Sequence, residues 1–215
     1  MGKTANKKNN PAKTEAILQA ATVEFGLKGY EKGSTDVIAE QAGVSKGTVF
    51  NYFDSKENLY VTAIRTAYEQ ILAVYDFTEW QDIHDFAELI VRSTNYKMQL
   101  ERQYPHQFKI IVHAYSEIAI LPKSIQEKLG FILQESIALS QKLSKQILAN
   151  MNVREDVDKK LVEEYVQAVM GAILNLVMRD IQAVPGEITE IGEMDKLIEK
   201  VKLFTKLLDE GIVRQ

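Results

Sequence analysis

The stretch from Ser45 to Lys56 combines hydroxyl, amide and basic side chains, and no acid occurs in it before Asp54. Hydroxyl and amide groups hydrogen-bond to base edges and phosphates, lysine pairs with phosphate, and glycine lets a partner approach the backbone. An apolar ring can meet a thymine methyl group. This chemistry indicates DNA contact. The residues that carry it are Ser45, Lys46, Gly47, Thr48, Phe50, Asn51, Tyr52 and Lys56.

Two short helices and a tight turn are needed to present these side chains. Ser34 or Thr35 is expected to cap the first helix, and Gly43, which tolerates the left-handed conformation, ends it. Ser45 caps the second helix, which runs to about Tyr52, and a further helix starts after Asp54 or Ser55. A small core beneath the two helices is predicted from Ile17, Phe25, Ile38, Val44, Val49 and Phe53. The pattern is that of a helix-turn-helix, whose second helix enters the major groove.

The rest of the chain is also predicted to be helical. Only four prolines and eleven glycines occur in 215 residues, and apolar residues recur at three- and four-residue spacing. The fold class is therefore all-α, with about nine helices and a three-helix N-terminal domain. The predicted divisions are a basic flexible tail over 1–11, the DNA-binding domain over 12–56 and a larger C-terminal domain over 57–215. The longer predicted helices cover residues 12–27, 79–100, 105–118, 122–148, 158–181 and 194–212.

Charge and composition limit the classes of partner. The net charge is −4, but residues 1–56 hold eight lysines against six acids, which leaves the remainder at −6. The absence of cysteine excludes disulfides and fits the cytoplasm. The most apolar segment, Val166–Met178, is shorter than the roughly 20 residues that a membrane span needs, so no membrane partner is expected.

Residues from about Lys13 to Ile64 resemble the DNA-binding domain of the tetracycline-repressor (TetR) family. The matching elements are 17–21, 25–30, Thr35 with Ile38-Ala39, 42–48, and Tyr52-Phe53 with 55–59. The resemblance implies a homodimer, a double-stranded DNA operator with inverted half-sites, and release when a small-molecule effector binds. It places phosphate contacts at Ser34 or Thr35, Tyr52 and Lys56. Phe50 departs from the tyrosine common in the family, which removes a possible hydroxyl contact.

The C-terminal helices are expected to bind the effector and to dimerise. Aromatic walls with a few polar tips are typical of small-molecule sites. The candidate ligand-binding residues are Tyr96, Tyr104, Phe108, His113, Tyr115, Phe131 and Tyr165. The last two long helices are apolar over so much of their circumference that each needs two partners, one of which is expected to be a second subunit. The alternative is that both helices pack within the monomer. The candidate interface residues are Val162, Val166, Val169, Ile173, Val177, Leu197, Val201, Phe204 and Leu208.

Other site chemistries are poorly supported. His106, His113 and Glu117 have spacing that could supply metal ligands, but no fourth ligand is evident and no metal or other cofactor is predicted. The chain has no nucleophile-elbow or phosphate-loop glycine pattern, so catalysis is not expected. The alternative that stays open is a small-molecule binding or protein-interaction module in which the helix-turn-helix is only structural. That alternative requires Lys46, Thr48 and Asn51 to be buried.

Overall fold

A computed structural model describes residues 10–212 apart from 77, 79–81, 154 and 185–190. The predicted basic tail lies outside the described residues up to position 9. In the described ranges the regular elements are helices, apart from an isolated bridge at Val153, as the all-α prediction requires. They are α1 (Pro11–Lys32), α2 (Thr35–Gln41), α3 (Lys46–Phe53), α4 (Lys56–Val74), α5 (Phe86–Gln103), α6 (Pro105–Glu117), α7 (Lys123–Asn150), α8 (Lys159–Gln182) and α9 (Asp195–Ile212).

Side-chain caps set the starts of the first four helices. Asn10, Ser34, Ser45 and Ser55 each accept hydrogen bonds from backbone N–H groups in the first turn of the helix that follows. Such caps satisfy donors that the helix itself leaves unpaired. The capping predictions for α2, α3 and α4 are confirmed.

Two predicted boundaries differ from the structure. Helix α1, predicted over 12–27 with Gly26 or Gly29 as its end, continues through Gly26, which is buried against α6; the helical dihedrals are first interrupted at Gly29, where φ is 69°. Helix α5 starts at Phe86 instead of Glu79, a position outside the described residues. Asp85 is extended, and its side chain accepts a hydrogen bond from the Glu88 N–H, which fixes the start of the helix there.

The first hydrophobic cluster joins α1–α4 to α6 and to the first half of α7. Ile17, Phe25, Ile38, Val49 and Phe53 are all buried in it, and Val44 packs against it, as predicted from the sequence. The cluster continues through Ile110 on α6 and Leu129 on α7. The helix-turn-helix therefore shares one core with helices that come much later in the chain.

A second and a third cluster lie among the remaining helices. The second joins α5, the second half of α7, α8 and α9 through residues such as Phe86, Ile147, Val166 and Leu208. The third is smaller and centres on Phe108. Helix α7 contributes its first half to the first cluster and its second half to the second. This long helix ties the two main cores together.

Helices α8 and α9 keep large apolar side chains in contact with solvent. Leu161 and Tyr165 on α8 are 56% and 47% exposed, and Leu203 and Leu207 on α9 are each 64% exposed. Each pair is one helical turn apart and so forms a short stripe. Among the described residues, α8 is the one helix long and apolar enough to cross a membrane, and 22% of its most apolar window is buried. This helix is longer than the Val166–Met178 segment on which the sequence argument was based.

Candidate nucleic-acid interface

Helices α2 and α3 are joined by the turn that the sequence predicts. Gly43 has a φ of 65°, a left-handed value that suits glycine, and it follows the last turn of α2 directly. The Val44 N–H donates to the Ala39 carbonyl oxygen at 2.9 Å, which closes the turn. Ser45 accepts from the Thr48 N–H at 3.2 Å and so starts α3. Local hydrogen bonds therefore set the direction of α3.

One face of α3 is anchored in the first cluster and the opposite face is open to solvent. Val49 and Phe53 are buried on the inner face. Ser45, Lys46, Gly47 and Asn51 are exposed, while Thr48 and Phe50 are half-buried. The structure thus brings six of the predicted DNA-contact residues together on one accessible surface, which we call the α3 surface: Ser45, Lys46, Gly47, Thr48, Phe50 and Asn51.

Lys46 and Gly47 are not constrained by packing within the chain. The Lys46 ammonium lies 2.9 Å from a carboxylate oxygen of Asp36, and both side chains are at least half exposed. Such an exposed pair contributes little to stability and separates easily. A Cβ atom added at Gly47 would meet only the Ser45 hydroxyl, at 3.9 Å. Packing within the chain therefore does not require glycine at this position.

The residues expected at phosphates are buried or half-buried and have partners within the chain. Ser34 is half-buried, its N–H donates to the carboxylate of buried Glu24 at 3.0 Å, and Thr35 is 8% exposed. Tyr52 is half-buried and packs against the first cluster. The Lys56 ammonium lies 4.9 Å from the centre of the Tyr30 ring and donates to the Glu31 carbonyl oxygen at 3.0 Å. Lys56 is thus held in place.

The predicted ligand-binding residues do not share one site. Tyr96, Tyr104 and Phe108 meet in the third cluster, whereas Tyr115 and Phe131 pack on the first. Tyr165 is largely exposed on α8. A small gap in the apolar packing is lined by Tyr115 and five aliphatic side chains. These five are Ile111, Ala114, Ile118, Leu129 and Ile132.

His113 is buried against α1 instead of facing this gap. Its Nε2 lies 3.8 Å from an oxygen of Glu117, one turn along α6, while His106 is exposed. In the described part of the chain, no three His, Asp or Glu side chains converge in a way that could hold a metal ion.

Most of the predicted dimer residues face the chain's own interior. Five of the nine are buried within the single chain, and the other four are half-buried. The buried five are Val162, Val166, Ile173, Val201 and Leu208; the half-buried four are Val169, Val177, Leu197 and Phe204. The large apolar side chains that α8 and α9 expose are instead those of Leu161, Tyr165, Leu203 and Leu207.

The contacts of three acids in this region were not predicted from the sequence. Asp36 pairs with Lys46, Glu24 accepts from Ser34, and Glu117 accepts from both Tyr30 and Tyr60. Asp36 and Glu24 lie ten residues from their partners, and Glu117 lies 87 and 57 residues from its two. Helical spacing carries no signal for pairs so far apart in sequence.

Comparison with known proteins supports the interpretation of α1–α4. Residues 17–63 match the model for bacterial regulatory proteins of the tetR family. The transcriptional regulator RutR of Escherichia coli K12 is 36% identical over 112 residues, which are 50% of this chain and 51% of RutR. The chain thus matches about half the length of that curated relative. The regulator YvdT of Bacillus subtilis is 29% identical over 71% of this chain and 76% of its own length.

Solved structures show the same overall fold. A TetR family regulator from Agrobacterium tumefaciens superposes with a TM-score of 0.60 at 16% identity, covering 96% of this chain and all of the other. At this level of identity the likeness concerns the fold alone. The family model covers the helices that build the α3 surface, and the solved structure extends the likeness of fold to the C-terminal helices. Residues 17–63 therefore match the tetR family of bacterial regulatory proteins, and the chain as a whole is similar in fold to a solved regulator of that family.

Proposed function

We propose that this protein is a cytoplasmic, dimeric transcriptional repressor that binds an operator with inverted half-sites and is released by a small-molecule effector. The observation that carries the proposal is the α3 surface, where Lys46 and Asn51 are exposed on a helix anchored from behind by Val49 and Phe53. A helix presented in this way can lie in the major groove. The same exposure argues against a purely structural helix-turn-helix.

Dimerisation is proposed from the C-terminal helices. The exposed stripes of α8 and α9, Leu161 with Tyr165 and Leu203 with Leu207, lie on helices that already pack against each other in one chain. Apolar side chains left in water at such a site favour association with a second copy. A two-fold dimer would present two α3 surfaces, as an inverted repeat requires.

Release by an effector requires two conformations of the protein that differ in how well they fit the operator. An effector lowers DNA affinity only if it binds better to the conformation that fits the operator less well. The gap beside Tyr115 is apolar and lies where α6 and α7 meet the first cluster. An apolar effector that widens this gap would act on the helices that support α1 and α4.

The experiment that tests the proposal is selection of duplexes from a random library by the purified protein. We expect an inverted repeat, bound with an affinity that falls steeply as salt rises because several phosphates are contacted. Lys46→Ala and Thr48→Ala should each weaken binding at least about tenfold with the melting temperature nearly unchanged. Lys160→Ala, which removes an exposed lysine on α8, is the matched control. Recovery of no repeat, or binding that is insensitive to salt, would refute the proposal.

A further inference from the structure

A buried carboxylate on α6 is hydrogen-bonded to two helices of the DNA-binding domain. Glu117 is 7% exposed. Its Oε1 accepts a hydrogen bond from the Tyr60 hydroxyl on α4 at 2.5 Å and another from the Tyr30 N–H near the end of α1 at 3.0 Å. Hydrogen bonds to a charged acceptor are stronger than neutral ones, and buried donors are costly to leave unpaired. The Glu117 side chain therefore links both α1 and α4 to α6.

His113 fastens the same part of α1 from one turn earlier on α6. Its Nδ1 lies 3.2 Å from the Gly26 carbonyl oxygen, and that oxygen can only accept, so the imidazole donates. Its other nitrogen faces Glu117 at 3.8 Å. His113 and Glu117 thus contact α1 on both sides of Gly29. We call these two residues, with Tyr30 and Tyr60, the α6 junction.

The backbone of α1 approaches the α6 junction too closely to slide along it. A Cβ atom at Gly29 would stand 2.5 Å from a Glu117 oxygen and 2.8 Å from the His113 Nε2. A Cβ atom at Gly26 would stand 3.2 Å from the backbone nitrogen of Ile110 on α6. The backbone of α1 is therefore closely packed against α6 at both glycines.

The α6 junction also supports residues that flank the α3 surface. The Lys56 ammonium lies over the Tyr30 ring, and Tyr60 lies one turn beyond Lys56 on α4. The Tyr60 ring meets Phe25 edge-on at 5.1 Å and lies 5.2 Å from the Tyr30 ring. Burial and then the Glu117 carboxylate raise the pKa of the Tyr60 hydroxyl, so it remains a donor. A shift of Glu117 would move α1 and α4 together.

We propose that Glu117 is a positioning residue for operator binding, which sets the angle at which each helix-turn-helix leaves the C-terminal helices. In a dimer this angle determines the half-site spacing that both α3 surfaces can occupy at once. The inference rests on the proposed function. The affinity that a dimer gains by binding a second half-site depends on the distance and angle between its two α3 surfaces, whereas its affinity for one half-site does not.

The test compares spacing profiles. The probes are the inverted repeat selected by the unaltered protein, the same repeat with its spacer lengthened by one or two base pairs, and a single half-site. Glu117→Met keeps volume but loses the acceptor, Tyr60→Phe removes one donor, and Glu117→Gln keeps an acceptor. Gln107→Met is the matched control, because it removes an exposed α6–α4 hydrogen bond to Gln70 away from α1.

We expect Glu117→Met to lose about tenfold in affinity for the selected repeat and to discriminate less between spacers, with single half-site binding nearly unchanged. Tyr60→Phe should also lose affinity for the selected repeat and discrimination between spacers, but to a smaller extent. Glu117→Gln and Gln107→Met should keep the original profile. If Glu117→Met fails to fold, Tyr60→Phe carries the test, since Glu117 then still accepts from Tyr30.

Two results would overturn the inference while the proposed function stands. One is a spacing profile for Glu117→Met and Tyr60→Phe that parallels the original. The other is an equal loss of affinity for single and paired half-sites together with a lower melting temperature, which is the mark of a structural role alone. If the unaltered protein selects no inverted repeat, the proposed function fails and this inference fails with it.

Discussion

The first cluster and the pair formed by α8 and α9 differ in how completely they bury their apolar side chains. In the first cluster, residues such as Ile17, Phe25 and Leu59 are fully buried, and the exposed α3 surface is polar apart from Phe50. In the α8–α9 pair, leucines such as Leu203 and Leu207 remain largely exposed. The first region is complete within one chain, whereas the second has an unused apolar face. The predictions below test that difference, from the largest expected effect to the smallest.

The double substitution Leu203→Glu with Leu207→Glu should abolish self-association. It places two charges on a surface that a second chain would have to desolvate, and unpaired buried charge is strongly unfavourable. Operator affinity should fall about 100-fold or more because bivalent binding is lost. Sedimentation and operator titration measure the two effects. Leu27→Glu, at a leucine 54% exposed on α1, is the control for self-association, and an intact Leu203/Leu207 double-variant dimer would place the interface elsewhere.

Gly29→Ala should destabilise the protein by about 2 kcal/mol or more, because alanine is strained at a φ of 69° and its Cβ would clash with Glu117. Chemical denaturation measures the change. The matched control is Gly130→Ala on α7, where a Cβ atom would meet nothing within 4 Å. The control should be neutral or stabilising by up to about 1 kcal/mol, as alanine favours helix. Equal effects at the two positions would mean that α1 is not closely held on α6.

Asp36→Asn should raise affinity for DNA about threefold at low salt, because Lys46 loses its competing partner and one negative charge on α2 beside the α3 surface is removed. The gain should disappear as salt increases. Glu40→Gln removes another exposed acid of the same helix and should give a smaller gain. A loss of affinity in Asp36→Asn would instead mean that Asp36 orients Lys46 for binding.

Asp209→Asn should alter how stability depends on pH. The Asp209 carboxylate accepts hydrogen bonds from the Phe86 and Ala87 N–H groups at the start of α5, yet burial outweighs them and raises its pKa. A raised pKa means that the folded state holds the proton more tightly. The stability that this raised pKa contributes is fully present below the ordinary aspartate pKa of about 3.9. It is lost as the pH rises through the pKa of Asp209 in the folded state.

Asparagine keeps the acceptor and stays neutral, so the variant should gain stability relative to the unaltered protein as pH rises from about 4. Denaturation midpoints measured across this range give the difference directly. A difference that is flat, or that shrinks with rising pH, would show that the two backbone hydrogen bonds dominate over burial.

Sequence reasoning succeeded where neighbouring residues determine the outcome. The caps Ser34 and Ser45, the turn at Gly43 and the buried set around Ile38 all depend on contacts that local spacing encodes. The resulting α3 surface was therefore predictable residue by residue, although its contacts with DNA remain predictions.

Longer-range features were not predictable in the same way. Helix α8 is apolar on more than one side, so periodicity could not decide that Val166 faces inward while Tyr165 faces solvent. Glu117 and Tyr30 are separated by 87 residues, and no spacing rule relates them. His113 was considered for a metal or ligand site, but the structure places it against the Gly26 carbonyl oxygen.

The open space above Gly47 has a consequence for how such a protein can diverge. Since no neighbour would obstruct a side chain there, the fold leaves this position free to change, and alanine would favour α3 by up to about 1 kcal/mol. Any larger group would project from the α3 surface and add a steric or polar feature to it. If this surface binds DNA as proposed, new sequence preferences can arise at this residue without disturbing the architecture that presents it.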